Sequence, residues 1–239
     1  MAHLARAATF LQDSGTASSS RTFNYGKSVA AGQFLALAVN SHGGTAGSVF
    51  TATDTKGNVW TQRAINDTSV TNNRVAILTC TVSTAVTTAD TITLTISSGT
   101  RATWCVVVEE FDPVVGFDAA ANANGSATSA ISAGSAASTH ASELIVAALG
   151  WSGLFTISTM AGGYTAEPTI TATTATRNVT LAWKYETTAG TRAPSGTLSG
   201  STASAGAMAV MEVAPAVVAR PWQIKTAAGT WAPADVVIM

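Results

Sequence analysis

Short stretches in which apolar and polar residues alternate recur along most of this chain, whereas the period of an amphipathic helix is almost absent. In Thr91–Ile96, isoleucine and leucine alternate with threonine, so that one face is apolar and the opposite face is polar. β-Branched residues suit such a pleated, half-buried surface. The pattern therefore predicts an all-β chain.

The predicted strands are short, and turn residues separate them at intervals of about 8–12 residues. The clearer strands are predicted at 33–40, 48–54, 58–64, 74–82, 91–97, 102–111, 143–150, 178–186 and 205–213, and weaker ones at 20–25, 126–132, 154–159, 165–171 and 194–199. This spacing is typical of an antiparallel β-sandwich.

A hairpin is predicted around Asp54–Asn58, between two alternating stretches. Aspartate favours the start of a type I turn, and Gly57 is able to take the positive φ angle that a following bulge requires. A calcium-binding loop would need further carboxylates beside Asp54, and this segment has none.

An internal repeat organises the chain into two related units, at about 32–111 and 142–213. Each unit opens with an apolar strand and closes with an apolar strand that ends in glutamate and an apolar residue. Three matched pairs, with offsets of 110, 104 and 102 residues, define the repeat: Phe34 with Leu144, Val75 with Val179, and Glu110 with Glu212.

Two arrangements of the units fit this repeat. In the first, residues 1–214 form one sandwich. This arrangement is the more economical one, because neither unit is obviously self-sufficient. The units are then related by a pseudo-two-fold axis, and each contributes strands to both sheets. In the second, two small domains follow one another, with the Ala/Ser/Gly-rich stretch 119–138 as their linker.

The C-terminal segment 215–239 differs in character, because prolines separate it from the last strong strand. A linker and a small β-hairpin are predicted here, followed by an apolar exit strand. So short a hairpin is not stable alone, so it packs either on its own sandwich or on a neighbouring subunit. Its candidate assembly residues are Trp222, Trp231, Val236 and Ile238.

Composition narrows the class of protein further. The chain has 239 residues, of which 10% are charged, with a formal net charge of -1. An average soluble protein has about 25% charged residues. So few basic residues exclude a nucleic-acid-binding surface, and a hydrophobic content of 46% excludes a disordered chain. The 46 Ala, 38 Thr and 23 Ser indicate threonine on wet sheet faces and alanine where sheets approach closely.

The longest apolar runs are shorter than ten residues, so no membrane-spanning helix and no membrane insertion are predicted. The N-terminus lacks the apolar core of a secretory signal, which indicates synthesis in a cytoplasm. Cys80 and Cys105 each lie in an apolar strand and are predicted to be buried free thiols, with a disulfide as the alternative.

Few residues indicate catalytic chemistry. The phosphate-binding loop and nucleophile-elbow motifs are incomplete at Gly26 and Gly150, and no metal or cofactor is predicted. Glu109 and Glu110 are neighbours on a strand, so their side chains are expected on opposite faces. A glycosidase pair drawn from Glu110, Asp112 and Glu212 is the enzymatic alternative.

Two loops at repeat-equivalent positions are binding candidates. His42 follows the first strand of the first unit, and Trp151 follows the corresponding strand of the second. A tryptophan is a good stacking platform for a sugar ring. The alternative is that Trp151 caps the core.

The stretches QFLALAV, TDTKGNVW, RVAILTC and VVVEEF, followed by ELIVAAL and AVMEV, resemble jelly-roll-like proteins of tailed bacteriophages. The tail WQIKTAAGTWAPADVVIM is similar to the short C-terminal tails of minor tail proteins from siphophages that infect actinobacteria.

The resemblance implies a jelly-roll-like sandwich and a non-enzymatic component of the virion, made in the host cytoplasm. Its partners would be further copies of the same chain, in a homo-oligomer such as a trimer, and other virion proteins. The alternative role is that of a capsid decoration protein, or of a receptor-binding module that reads a host-surface glycan.

Overall fold

The computed structural model describes residues 2–12, 16–42, 47–67, 73–173 and 176–214, together with the backbone of residues 223–225 and 231–233. Every regular element among them is a β-strand, so the prediction of an all-β antiparallel sandwich is confirmed. No helix within these ranges is long and apolar enough to cross a membrane. The strands are β1 His3–Gln12, β2 Ser20–Asn24, β3 Phe34–His42, β4 Phe50–Asp54, β5 Trp60–Asn66, β6 Asn73–Thr81, β7 Thr91–Ile96, β8 Trp104–Phe111, β9 Gly116–Ser132, β10 Ala136–Ser138, β11 Glu143–Ser152, β12 Ile157–Met160, β13 Thr165–Ala166, β14 Ile170–Ala172, β15 Arg177–Glu186, β16 Gly190–Arg192, β17 Ser195–Glu212, β18 Gln223–Lys225 and β19 Trp231–Pro233.

The first unit is a sandwich of two sheets. Its larger sheet has the order β1-β8-β3-β6-β5, and its smaller sheet has the order β2-β7-β4. The pairing is nested, because the first strand pairs with the eighth, the second with the seventh and the third with the sixth. Strands that are distant in sequence therefore hold the unit together.

The second unit repeats this order. β9 pairs with β17, β10 with β16, and β11 with β15, and β11 also pairs with β17. The short strands β13 and β14 both pair with β15, as β5 pairs with β6 in the first unit. The predicted internal repeat is thus a repeat of strand topology.

The strand register defines the repeat at single-residue level. Phe34 lies opposite Thr81, and Leu144 lies opposite Tyr185, which reproduces the predicted offsets of 110 and 104. On the other side of β3 and β11, Phe111 lies opposite Phe34 and Met211 lies opposite Leu144. The last strands of the two units are therefore offset by 100 residues rather than the predicted 102. The prediction that each unit adds strands to both sheets was wrong, since each unit forms its own sheets.

The two units pack face to face, so the five-stranded sheet is a middle layer. One of its faces packs on the small sheet of the first unit through residues such as Leu37, Leu78 and Ile92. Its other face packs on the second unit through residues such as Ala36 and Val146. This explains why β8 is buried throughout and β3 is buried up to His42, whereas β7, with one wet face, alternates buried and half-buried residues.

The turn after β4 has the predicted conformation but a different role. Gly57 has a φ of 73°, and its amide donates to the Asp54 carbonyl at 3.2 Å. The Asp54 carboxylate also accepts the amides of Lys56 and Asn58. However, β4 pairs with β7 and β5 pairs with β6, so the turn links two sheets. The predicted hairpin was therefore wrong.

Both cysteines are buried thiols outside any disulfide, as predicted, and they lie in different cores. The stretch 119–138 is not a linker, because most of it belongs to β9, which pairs along β17. At the C-terminus, β18 and β19 pair as the predicted hairpin.

Candidate functional site

The strand ends that carry the two candidate binding residues, His42 on β3 and Trp151 on β11, are in contact. The Asn40 side-chain amide, on β3, donates to the Asn178 carbonyl of the second unit at 2.8 Å. A Cβ atom on Gly150 would lie 2.8 Å from the same Asn40 side chain, so the ends of β3 and β11 are in contact. Only glycine allows this approach.

His42 lies at the exposed end of β3. Partial burial lowers the pKa of its imidazole, and the positive charges of Arg177 and Arg101 lower that pKa further. The neutral imidazole is therefore favoured at neutral pH, beside two guanidinium groups. Arg101 is fully buried, and Ser48 and backbone carbonyls accept its hydrogen bonds.

Trp151 is completely buried in the outer core of the second unit. Its indole nitrogen donates to the Phe155 carbonyl at 2.8 Å. The ring face is therefore not available to a sugar, and the interpretation of Trp151 as a stacking platform was wrong. Trp151 instead caps the core, and it is buried without an unpaired polar atom because its indole N–H is bonded to the Phe155 carbonyl.

The carboxylates considered for a glycosidase have separate partners. Glu110 is 4% exposed, and its Oε2 lies 2.5 Å from Lys27 Nζ. Glu212 instead lies beside His140, with Oε2 3.6 Å from Nε2. Glu109, on the opposite face of β8 from Glu110, pairs with Arg6. The prediction that Glu109 and Glu110 face opposite ways is confirmed.

Strand β9 is the structure's main candidate for assembly. It is 17 residues long, and β17 is its one pairing partner among the described residues. The pairing runs without interruption from Ala119 to Gly125. A side-chain amide of Asn66 reaches the Ala123 carbonyl, but no described strand pairs with the second edge of β9.

The sequence of β9 lacks the usual protection of a sheet edge. Natural edge strands are commonly short or carry lysine or proline, which prevents pairing with other chains. β9 has neither lysine nor proline, and Asp118 is its single charged residue. Its backbone is therefore a template for a further strand.

A groove bordered by exposed apolar side chains adjoins the start of β9. Val59, Val115 and Phe117 are 76%, 60% and 41% exposed. They border a cavity of about 270 Å³ between the first unit and the segment that leads into β9. The guanidinium carbon of Arg63 lies 4.8 Å from the centre of the Phe117 ring and shields one ring face.

The predicted assembly residues of the tail are placed only in part. Trp231 begins β19, opposite Lys225. Trp222, Val236 and Ile238 lie outside the described residues. The sequence predicted a weak strand at 126–132, the second half of β9, but missed the first half, because its Ala and Asn residues have low strand propensity.

Comparisons with protein-family models, with curated proteins and with solved structures found no match for this chain.

Proposed function

We propose that this protein is a non-enzymatic structural protein of a bacteriophage virion, most simply a minor tail protein, that assembles with copies of itself and with other virion proteins. The unprotected edge of β9 is the observation that carries the proposal. An open strand edge along Ala119–Gly125 would promote uncontrolled aggregation unless another subunit covers it.

Two further features support an assembly role. The apolar side chains of Val59, Val115 and Phe117 adjoin the β9 edge, so a subunit that pairs with β9 would also bury apolar surface. The low charge of the chain agrees with this, since the cores of protein interfaces are depleted in charged residues.

The topology supports the finer assignment to a jelly roll. A jelly roll is a double-sheet fold of eight strands. Its chain resembles one long hairpin folded over, so the first strand pairs with the last, the second with the last but one, and so on inwards. Each unit here has that nested order. Virion proteins use this fold widely.

The experiment adds charge to the β9 edge. Asn122 and Asn124 are exposed and lie in the uninterrupted part of the pairing. The double variant Asn122→Lys/Asn124→Lys is expected to convert the oligomer into monomers, as measured by light scattering and sedimentation. Electron microscopy with this chain labelled then shows whether the wild-type protein is incorporated into particles.

The matched control places the same two lysines on a strand that is paired at both edges. Thr93 and Thr95 lie on β7, between β2 and β4. The variant Thr93→Lys/Thr95→Lys should therefore keep the wild-type oligomer. A wild-type protein that is monomeric at high concentration and is not incorporated into particles would refute the proposal, and so would an unchanged oligomer in the β9 variant.

A further inference from the structure

A cluster of two carboxylates and an imidazole lies on the second unit. Asp118 lies near the start of β9, His140 precedes β11, and Glu143 is the first residue of β11. Each offers one donor atom, and these three atoms all lie within 4.8 Å of one another. Nδ1 of His140 is 3.5 Å from Oδ2 of Asp118.

The Glu143 carboxylate is only half satisfied. Its side chain is fully buried, and Nε and Nη2 of Arg192 both lie 2.9 Å from Oε2. The other oxygen, Oε1, is buried without a hydrogen-bond donor. One carboxylate oxygen of Glu143 lies within 4.8 Å of a carboxylate oxygen of Asp118. A buried anionic oxygen without a donor is costly, and a bound cation removes that cost.

The charges around the cluster also favour a cation. The carboxylates of Asp118 and Glu212 lie 3.5 and 3.6 Å from the two ring nitrogens of His140, and Arg192 is the partner of Glu143. These ion pairs bring three carboxylates but one guanidinium to the site, and a divalent ion would balance the excess of carboxylates.

The surrounding groups hold the candidate ligands in place. The amide and hydroxyl of Thr139 donate to the two oxygens of Asp118, at 2.7 and 2.8 Å. On the far side of the His140 ring, Nε2 lies 3.6 Å from Oε2 of Glu212. A carboxylate behind an imidazole is the usual support for a metal-binding histidine, because it fixes the tautomer and the ring orientation.

A second cluster of similar composition provides a contrast. His3, Glu109 and Glu167 also bring three donor atoms within 4.8 Å. Here the two oxygens of Glu109 accept hydrogen bonds from Arg6 at 2.7 Å and from His3 at 3.0 Å, and the Trp183 indole donates to Glu167 at 2.7 Å. Protein donors satisfy this cluster, and it joins the first unit to the second.

We propose that Asp118, His140 and Glu143 bind one divalent transition-metal ion, such as Zn²⁺ or Mn²⁺, in a structural site that ties the start of β9 to the start of β11. One imidazole and two carboxylates suit these ions. The His140 side chain is 42% exposed, so an ion reaches this ligand from solvent. Cys80 does not compete, because burial raises the pKa of its thiol to about 12.

Calorimetric titration of the EDTA-treated full chain with ZnCl₂ and MnCl₂ tests the site. We expect one ion per chain, and a melting temperature about 5–10 °C higher at a metal concentration 100-fold above Kd. Asp118→Asn and His140→Ala should each weaken binding at least about tenfold, and Glu212→Gln should weaken it about 10-fold. The matched control Glu167→Gln, in the satisfied cluster, should bind as the wild type does.

Circular dichroism of each variant shows whether it is folded, and X-ray absorption of the zinc-loaded wild-type protein gives a readout that needs no variant. One imidazole nitrogen among oxygen ligands is expected. The proposal is wrong if the wild-type protein binds neither ion, if His140→Ala binds as tightly as the wild type, or if Glu167→Gln loses as much affinity as His140→Ala. An all-oxygen or sulfur ligand shell would also overturn it.

Discussion

Replacing Phe111 by alanine tests whether the two units fold as one cooperative body. The Phe111 ring is fully buried at the end of β8, and its centre lies 6.1 Å from the Trp183 ring of the second unit. The rings of His3 and Phe34 lie 5.2 and 6.4 Å away. Phe111→Ala therefore removes an aromatic contact between the units and leaves a cavity in their shared core.

The expected cost is about 3–5 kcal/mol, the usual range for a buried phenylalanine replaced by alanine. The Trp183 contact accounts for about 0.5–1.5 kcal/mol of it. For a chain of this size, a loss of about 4 kcal/mol corresponds to a melting temperature lower by about 8–16 °C. Urea unfolding followed by circular dichroism gives the free energy of unfolding directly.

The control is Phe50→Ala, the same change within the core of the first unit. Phe50 is 1% exposed, and its ring lies 6.1 Å from Trp104 of its own unit. Hydrogen exchange should show that Phe111→Ala weakens protection in both units, since the lost contact belongs to both. A cost below about 1 kcal/mol, or unchanged exchange in the second unit, would refute the described packing between the units.

Two further substitutions test local features of the first unit. Gly57→Ala should lower the free energy of unfolding by about 1 kcal/mol in urea denaturation. Gly57 has a φ of 73°, and a Cβ atom there would meet nothing within 4 Å, so the cost comes from backbone strain and not from a clash. Gly57→Asn should cost less, because asparagine adopts a positive φ more readily, and an equal cost for both variants would contradict the strain argument. The Asp90 carboxylate accepts a hydrogen bond from the Thr87 amide at 2.8 Å. This bond, the hydroxyls of Thr55 and Thr87 and the charge of Lys56 lower the pKa of Asp90 to about 2, although burial of the carboxyl raises that pKa. Since the carboxyl of an unfolded chain has a pKa of about 3.9, ionised Asp90 stabilises the fold above pH 4 and this contribution is lost as the pH falls towards 2. Asp90→Asn should therefore be less stable than the wild type at pH 7 in thermal melts, and the difference should vanish near pH 2; a difference that persists there would show that charge is not the cause.

The alternation of residue types was sufficient to predict the fold class and much of the repeat. In β7, each predicted apolar position is buried and each threonine is half-buried. The offsets for β3 and β6 were also correct, because these strands are buried on both faces and leave an unmistakable apolar run. The layered packing was missed, because an apolar run shows that both faces are covered but does not show which sheet covers them.

Edge strands were the main failure of the sequence reasoning. β1 and β9 have mixed or alanine-rich sequences, and partners more than 80 residues away for much of their length determine their conformation. The cluster of Asp118, His140 and Glu143 was missed for a similar reason. No short motif links these residues, and strand pairing in the second unit brings them together.

The nested pairing of strands has a consequence for folding during synthesis. β1 cannot pair until β8 leaves the ribosome, since His3 lies opposite Phe111, and β9 must wait in the same way for β17. Such distant pairing makes folding slow. Once the first unit has closed, the apolar face that carries Phe34, Ala36 and Ala38 remains in water until the second unit is complete. The interval between the two closures is therefore when the nascent chain is most exposed to aggregation.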